Sequence, residues 1–78
     1  MVDHLDPTPL YEQVAEVLTR KIEAGELQPR QALPSETELA REFGVARRTV
    51  RRALEILRDR GLIVSIERRG TYVVDRRV

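Results

Sequence analysis

A two-residue link between two helical segments constrains the fold of this chain more than any other feature. Ser35 and Glu38 have the spacing of a capping box, which predicts the start of a short helix that Gly44 ends. Only Val45 and Ala46 separate that glycine from the next helical pattern. Because so short a link forces its two helices to cross at a steep angle, it predicts the arrangement of a helix-turn-helix.

Apolar residues at three- and four-residue steps predict three helices. The first follows Thr8-Pro9, with Thr8 as its N-cap and Pro9 as its first residue, and it ends near Gly25. The third runs from about Arg47 to Arg60, and Gly61 stops it. The residues predicted to face the core are Tyr11, Val14, Ala15, Leu18 and Ile22 in the first helix, Leu39, Ala40 and Phe43 in the second, and Val50, Ala53, Leu54 and Leu57 in the third.

The end of the chain has the pattern of a β-hairpin. Residues 62–66 and 71–74 are apolar and rich in β-branched side chains, and a polar turn at 67–70 joins them. The predicted fold class is therefore α+β, mostly α, with three helices followed by a C-terminal two-stranded β-hairpin.

The length of 78 residues allows one small domain. We expect this domain to occupy residues 9–75, between a flexible N-terminal tail at 1–8 and a C-terminal tail at 76–78. The sequence has no cysteine, so it offers neither a disulfide nor a thiolate metal site. It also has no apolar run of membrane-spanning length and no signal peptide. These features are typical of a cytoplasmic protein.

The formal net charge of +1 conceals an uneven distribution along the chain. Residues 1–45 carry 9 acidic residues and 4 Lys or Arg, for a net charge of −5, whereas residues 46–78 carry 10 Arg and 4 acidic residues, for a net charge of +6. All the bases of the second part are arginine, the residue better suited to forked contacts with phosphate and guanine.

Four arginines lie in the first half of the third helix, where a helix built only for stability would carry acids. Arg47 and Arg51, like Arg48 and Arg52, are four residues apart on faces turned away from the apolar stripe. Like charges at this spacing repel by a few tenths of a kcal/mol, and the helix dipole disfavours cations in the first turn by roughly 0.3–1 kcal/mol. No acid is near them in sequence until Glu55, so the pattern predicts a polyanionic partner. Arg52 is the weakest member of the set, because Glu55 or the acid at position 59 could engage it.

The tip of the predicted hairpin is a second basic point. Arg68 and Arg69 would project into solvent, where they can grip phosphates or enter a narrow minor groove. Together with the basic helix just upstream, they would flank one surface and contact one duplex across adjacent grooves.

Several short motifs occur together in this part of the chain: LPSE at 33–36, GV at 44–45, R-x-T-V-R at 47–51, AL at 53–54, and then GLI and GTYV. With them the chain resembles the winged helix-turn-helix domain of the GntR family of bacterial transcription regulators, from about Pro9 to Val74.

The resemblance implies a role for each matching position. The Arg47 position commonly contacts a guanine in the major groove, Thr49 meets a phosphate or a base edge, and Arg51 reads a base or a nearby phosphate. The start of the second helix presents groups to phosphate, and the wing, as the hairpin is called in this fold, approaches the minor groove. The expected DNA-binding residues are Ser35, Thr37, Arg47, Arg48, Thr49, Arg51, Arg52, Arg68, Arg69, Gly70 and Thr71.

The expected function is therefore sequence-specific binding of double-stranded DNA by a transcription regulator, most simply a repressor. Helix 47–60 would read the major groove and the 67–70 wing would contact the minor groove. The expected partner is an operator of palindromic half-sites, on which the chain pairs weakly or only when DNA is bound. We expect no cofactor and no metal. The family normally has a larger effector-binding or oligomerisation domain after the wing, whereas this chain stops at Val78, so the resemblance does not imply a small-molecule effector for it.

Two positions depart from the family's pattern. Ala46 stands where the family usually has Ser or Thr, which removes an N-cap worth about 1 kcal/mol. Arg30 follows Pro29 where the family often has Gly. Because a type II turn needs a positive φ at that place, we expect a type I turn instead.

A protein-interaction module built on the same fold is the main alternative. It would need an acidic partner and an exposed apolar patch, for which Ile56 is a candidate, although partial burial of Ile56 against the first helix or the wing is the favoured interpretation.

RNA is disfavoured, because the A-form major groove excludes a helix and the chain has no aromatic platform for stacking bases. An enzyme is not expected, because the one histidine, His4, lies in the tail, Ser35 is a helix cap, and there is no glycine-rich phosphate loop.

Overall fold

The computed structural model describes residues 2–75, so the predicted tail at 76–78 lies outside the described residues. Three helices precede an antiparallel pair of strands, and this confirms the predicted fold class. The elements are α1 (Leu10–Glu23), α2 (Glu36–Phe43), α3 (Arg47–Asp59), β1 (Ile63–Ile66) and β2 (Gly70–Val73). Within residues 2–75, no helix has the length and apolar character needed to cross a membrane.

The predicted link between α2 and α3 is confirmed in detail. The Ser35 hydroxyl accepts a hydrogen bond from the Glu38 backbone N–H at 3.1 Å and donates one to the Glu38 carboxylate at 3.1 Å, so both members of the capping box are engaged. Gly44 ends α2 in the left-handed conformation, with φ 67°, which glycine adopts without strain. Ala46 then starts α3 without a side-chain cap.

The start of α1 differs from the prediction by one residue. Pro9 is the N-cap rather than the first helical residue, and Thr8 makes no cap. The physical reason is the Gln13 side chain, which donates to the Thr8 carbonyl at 2.8 Å and holds that residue outside the helix. Gln13 also forms two hydrogen bonds with the backbone of Asp3, so it links α1 to the preceding segment. The flexibility of residues 1–8 stays a prediction.

The three helices and the hairpin enclose one apolar core. The predicted inward residues are buried, except that Tyr11 and Ile22 are half-buried at its edge. Ile56 packs against the core with part of its surface covered, which confirms the favoured interpretation of that residue. The core residues added by the loops and strands are Leu33, Leu62, Ile63 and Val73.

The connector between α1 and α2 pairs with the wing. The Arg30 N–H donates to the Val73 carbonyl at 2.8 Å, the Val73 N–H donates to the Gln31 carbonyl at 2.9 Å, and the Leu33 N–H donates to the Thr71 carbonyl at 2.8 Å. Because these bonds join the connector to β2, the wing is fixed to the body of the domain on one edge as well as through its link to α3.

The same pairing overturns the turn type predicted at Pro29-Arg30. Arg30 has φ 69°, and the Gln31 N–H closes the turn onto the Gln28 carbonyl at 3.0 Å, so the backbone has the positive φ of a type II turn. The type I prediction was wrong because it weighed local strain alone. The two hydrogen bonds between this turn and Val73 favour the strained conformation.

Replacement of Arg30 by glycine should therefore stabilise the fold. An L-residue at positive φ costs about 1–2 kcal/mol, and glycine loses about 0.5–1 kcal/mol through its greater freedom in the unfolded chain. The expected gain in the free energy of unfolding is about 0.5–1 kcal/mol, measured by urea denaturation. The matched control is Ala32→Gly, two residues away, where φ is not positive and a loss is expected. A loss in both variants would show that the turn is not strained.

Candidate nucleic-acid interface

The first half of α3 presents four arginines on the surface of the domain. Arg47, Arg48, Arg51 and Arg52 are all exposed, while the opposite face of the same helix is fully buried at Val50. This confirms the prediction that the arginines face away from the core. The amphipathic helix is anchored by its apolar side, so its guanidinium groups are held at the surface.

An acid from α2 reaches two of these arginines. The Arg51 guanidinium forms a forked contact with the Glu36 carboxylate, with Nη2 to Oε1 at 3.0 Å and Nε to Oε2 at 3.4 Å. Arg47 Nη2 lies 3.8 Å from the same Oε1 atom. This contact was not predicted from the sequence, because only acids close along the chain were considered. The packing of α2 against α3 brings Glu36, 15 residues away in sequence, to Arg51.

The Glu36 carboxylate positions Arg47 and Arg51 and leaves some of their hydrogen-bond donors available to a ligand. Arg51 uses two of its five N–H donors on Glu36, and its side chain remains 54% exposed. Arg47 is 61% exposed and makes only the longer contact. Since Glu36 contacts only Arg47 and Arg51, and Arg48 and Arg52 form no ion pair with an acid of the described residues, the surface keeps an excess of positive charge. Sequence reasoning missed Glu36 as a functional residue, although the LPSE motif contains it.

The Arg51 contact also changes the acidity of Glu36. The hydrogen bond from the Arg51 guanidinium lowers the pKa of the Glu36 carboxyl below its usual value, and the charges of Arg51, Arg47 and Arg58 act in the same direction. A carboxyl group with a lowered pKa in the folded state stabilises the fold above its ordinary pKa, and this stabilisation is lost as the pH falls through the lowered value.

The pH dependence of stability should therefore differ between the wild type and Glu36→Gln. Above about pH 5 the wild type should be the more stable by up to about 1 kcal/mol, the range of surface ion pairs. The difference should disappear as the pH falls through the lowered pKa of Glu36 and its carboxylate takes up a proton. Urea denaturation at pH 7, 5 and 3 measures the difference in the free energy of unfolding between the two proteins. The contributions of the other carboxyl groups are the same in both and cancel in this difference. A difference that is constant with pH would exclude the ion pair as its source.

Arg52 contacts an aromatic ring rather than an acid. Its guanidinium carbon lies 4.2 Å from the centre of the Tyr11 ring, and its Nη2 donates to the Tyr11 hydroxyl at 3.5 Å. Neither Glu55 nor Asp59, the acids expected to engage it, forms an ion pair with Arg52 in the described part of the chain. The ring contact orients the guanidinium and leaves its charge uncompensated.

The wing presents two further arginines. Arg68 and Arg69 are exposed at the turn between β1 and β2, which the Arg69 N–H closes onto the Ile66 carbonyl at 3.0 Å. Arg68 has φ 66°, and Gly70 follows with φ 112°, so two residues with positive φ bend the chain sharply at the tip. Thr71 is less available for a ligand, because it is half-buried and its hydroxyl lies 3.4 Å from the Ser65 hydroxyl.

The remaining predicted residues lie at the start of α2 and in the first turn of α3. The Ser35 hydroxyl is occupied in both directions by Glu38, so it serves as a cap in the free domain. Thr37 is exposed beside it, and Thr49 is half-buried between the α3 arginines. The structure therefore brings the predicted residues into three groups: the start of α2, the first half of α3 and the tip of the wing.

Comparison with known proteins gives consistent matches to one family. The model of the family described as bacterial regulatory proteins, gntR family, matches residues 10–73. The HTH-type transcriptional repressor NagR of Bacillus subtilis is 46% identical over 72 residues, which are 92% of this chain and 30% of NagR. The chain thus spans less than a third of the length of that relative.

Solved structures share the fold. YtrA from Sulfolobus acidocaldarius, a GntR-family transcription factor, superposes with a TM-score of 0.89 at 38% identity, covering 99% of this chain and 81% of that one. AraR(DBD) in complex with operator ORX1 superposes with a TM-score of 0.78 at 41% identity, covering 82% of this chain and 77% of that one. Because the family model matches most of its length, the chain belongs to the gntR family of bacterial regulatory proteins.

Proposed function

We propose that residues 9–75 bind double-stranded operator DNA in a sequence-specific manner and regulate transcription in the bacterial cytoplasm, most simply as a repressor. The observation that carries this proposal is the exposure of all four arginines in the first half of α3, on a helix whose other face is buried. Cations at the start of α3 raise the free energy of the unbound domain slightly. This cost falls when phosphates or base edges accept hydrogen bonds from the guanidinium groups.

The geometry supports a division of roles among the arginines. Arg47 and Arg51, which share Glu36, are positioned to read base edges in the major groove, where a forked arginine contact selects guanine. Arg48 and Arg52 lie on the neighbouring face and would bind phosphates, as would Arg68 at the wing beside the minor groove. Glu36 is then a positioning residue that limits the conformations of the reading side chains before DNA arrives.

The relatives agree with this proposal in their names. NagR is a transcriptional repressor, and AraR(DBD) was solved in complex with operator DNA at a TM-score of 0.78 to this chain. We extend both properties to this domain, and we propose that it is a monomer at low concentration that pairs weakly, or only on DNA with two half-sites. A tight dimer at micromolar concentration in sedimentation experiments would contradict the second statement.

Selection of bound sequences from random duplexes, carried out at two salt concentrations, tests the proposed function. A sequence-specific regulator should enrich one motif, with a symmetric repeat if two copies bind, and its affinity should fall steeply with salt. If all sequences are retained equally, the domain binds polyanions without sequence specificity. If no duplex is bound at low salt, the proposal is overturned.

Replacement of Arg52 by alanine should weaken binding to all duplexes by a similar factor. A phosphate contact carries no sequence information, and its loss removes one released counterion, so the slope of log K against log salt should flatten by about 0.9. Binding titrations on the selected duplex and on an unrelated duplex, at three salt concentrations, measure both quantities. A change in base preference at one position would instead place Arg52 against a base.

A protein-interaction module is the second candidate, because β1 carries two exposed apolar side chains. Val64 is 44% exposed and Ile66 is 43% exposed, both on the outer part of the wing. Binding of the free domain to short duplexes separates the two candidates. A regulator should bind duplexes that carry the selected motif, whereas a module for an acidic protein should enrich no motif in the selection.

A further inference from the structure

Two matched contacts fix how α1 lies beside α3. Arg52, in the middle of α3, donates to the hydroxyl of Tyr11 near the start of α1 at 3.5 Å, and Arg60, the C-cap of α3, donates to the hydroxyl of Thr19 further along α1 at 3.3 Å. The two contacts are eight residues apart on each helix, which is about 12 Å of helix length. The helices therefore point in the same direction, and the start of α1 lies at the arginine-bearing end of α3.

A groove of about 580 Å³ between the two helices has opposite charge at its two ends. Arg48, Arg51 and Arg52 line the end nearer the start of α3, where Tyr11 contributes its ring and hydroxyl and Glu12 follows it along α1. Glu55 and Asp59 line the other end, one and two turns further along α3. The gradient favours an anion only at the end that faces the proposed DNA surface.

The hydrogen-bonding groups at the basic end are suited to a phosphate. Arg52 uses Nη2 on the Tyr11 oxygen, so the phenol accepts there and its own O–H remains available as a donor. Arg48, one turn earlier on α3, forms no ion pair with any acid of the described chain. Two arginines and a neutral hydroxyl donor thus line the same groove.

We propose that the Tyr11 hydroxyl, together with Arg48 and Arg52, binds one backbone phosphate of the DNA, so that α1 supplies a contact outside α2, α3 and the wing. This inference rests on the proposed function and deepens it. Glu55 and Asp59, the acids further along α3, disfavour binding of a second phosphate at the other end of the groove. The arginine stacked on the ring holds the hydroxyl at the correct place before binding.

The variant Tyr11→Phe tests the inference, because it removes only the hydroxyl and keeps the ring beneath Arg52. Its affinity should fall about three- to tenfold on the selected duplex and by the same factor on an unrelated duplex. The salt slope should be unchanged, since a neutral donor releases no counterion. The matched control is Thr19→Val, which removes the other α1 hydroxyl bonded to an α3 arginine, at the acidic end of the helix pair, and it should bind like the wild type.

Duplexes with a single uncharged methylphosphonate, placed at each backbone position in turn, locate the contact. At one position the neutral linkage should weaken the wild type more than Tyr11→Phe, which has already lost the hydroxyl contact but still binds that phosphate through Arg48 and Arg52. Thermal denaturation of both variants checks that the fold is retained. Wild-type affinity in Tyr11→Phe, an equal loss in Thr19→Val, or equal sensitivity of wild type and Tyr11→Phe at every position would each overturn the inference. If the wild type binds no duplex at all, the proposed function fails instead.

Discussion

Replacement of Arg47 by alanine should relax the base preference of the domain at one position of its operator by about tenfold or more. A forked arginine–guanine pair contributes about 1–3 kcal/mol of discrimination against the wrong base. Arg47 is the arginine best placed for this role, because it lies in the first turn of α3 and is 61% exposed. Its contact with Glu36, at 3.8 Å, is long enough to be exchanged for a base edge.

The measurement is a set of titrations on the selected duplex and on its single-base variants. Wild type should distinguish the bases at the Arg47 position, and Arg47→Ala should bind the four variants at that position with nearly equal affinity while keeping its preferences elsewhere. Arg52→Ala is the matched control, since it removes an equal charge from the same helix and should retain the preference. Equal, sequence-independent losses in the two variants would refute the division of roles.

Replacement of Leu57 by alanine should destabilise the domain by about 2–5 kcal/mol, the range for large-to-small changes in a packed core. Leu57 is fully buried in α3, and its carbonyl accepts from the Leu62 N–H at 3.0 Å where the chain turns toward β1. A domain of 78 residues has a free energy of unfolding of only about 4–12 kcal/mol, so the loss is a large part of the total.

Urea and thermal denaturation followed by circular dichroism measure this effect. The melting temperature should fall by about 8–40 °C, because each kcal/mol corresponds to about 4–8 °C in a domain of this size. Val64→Ala is the control: it also shortens an aliphatic side chain, but at a position 44% exposed on the wing, and it should cost much less. If the two variants lose the same stability, the core does not depend on Leu57 as its burial implies.

Local features of the structure followed from the sequence by itself. The Ser35–Glu38 capping box, the left-handed Gly44 and the buried face of α3 all depend on hydrogen bonds or side-chain spacing within a few residues. The exposed position of Arg47 follows in the same way, because burial of Val50 fixes which face of the helix is outside. Such features were predictable because helix geometry relates neighbouring positions by a fixed angle.

Contacts between distant parts of the chain were decided only by the tertiary structure. Glu36 meets Arg51 across the α2–α3 crossing, and Tyr11 meets Arg52 over a separation of 41 residues. Arg30 adopts a strained φ that its own preference opposes, because hydrogen bonds to β2 favour it. The sequence by itself determined the three helices, the Ser35 cap of α2 and the faces that the helices bury. The packing of helix on helix and of connector on wing decided the partners of the arginines, because periodicity along one element contains no information about which residue of another element lies opposite.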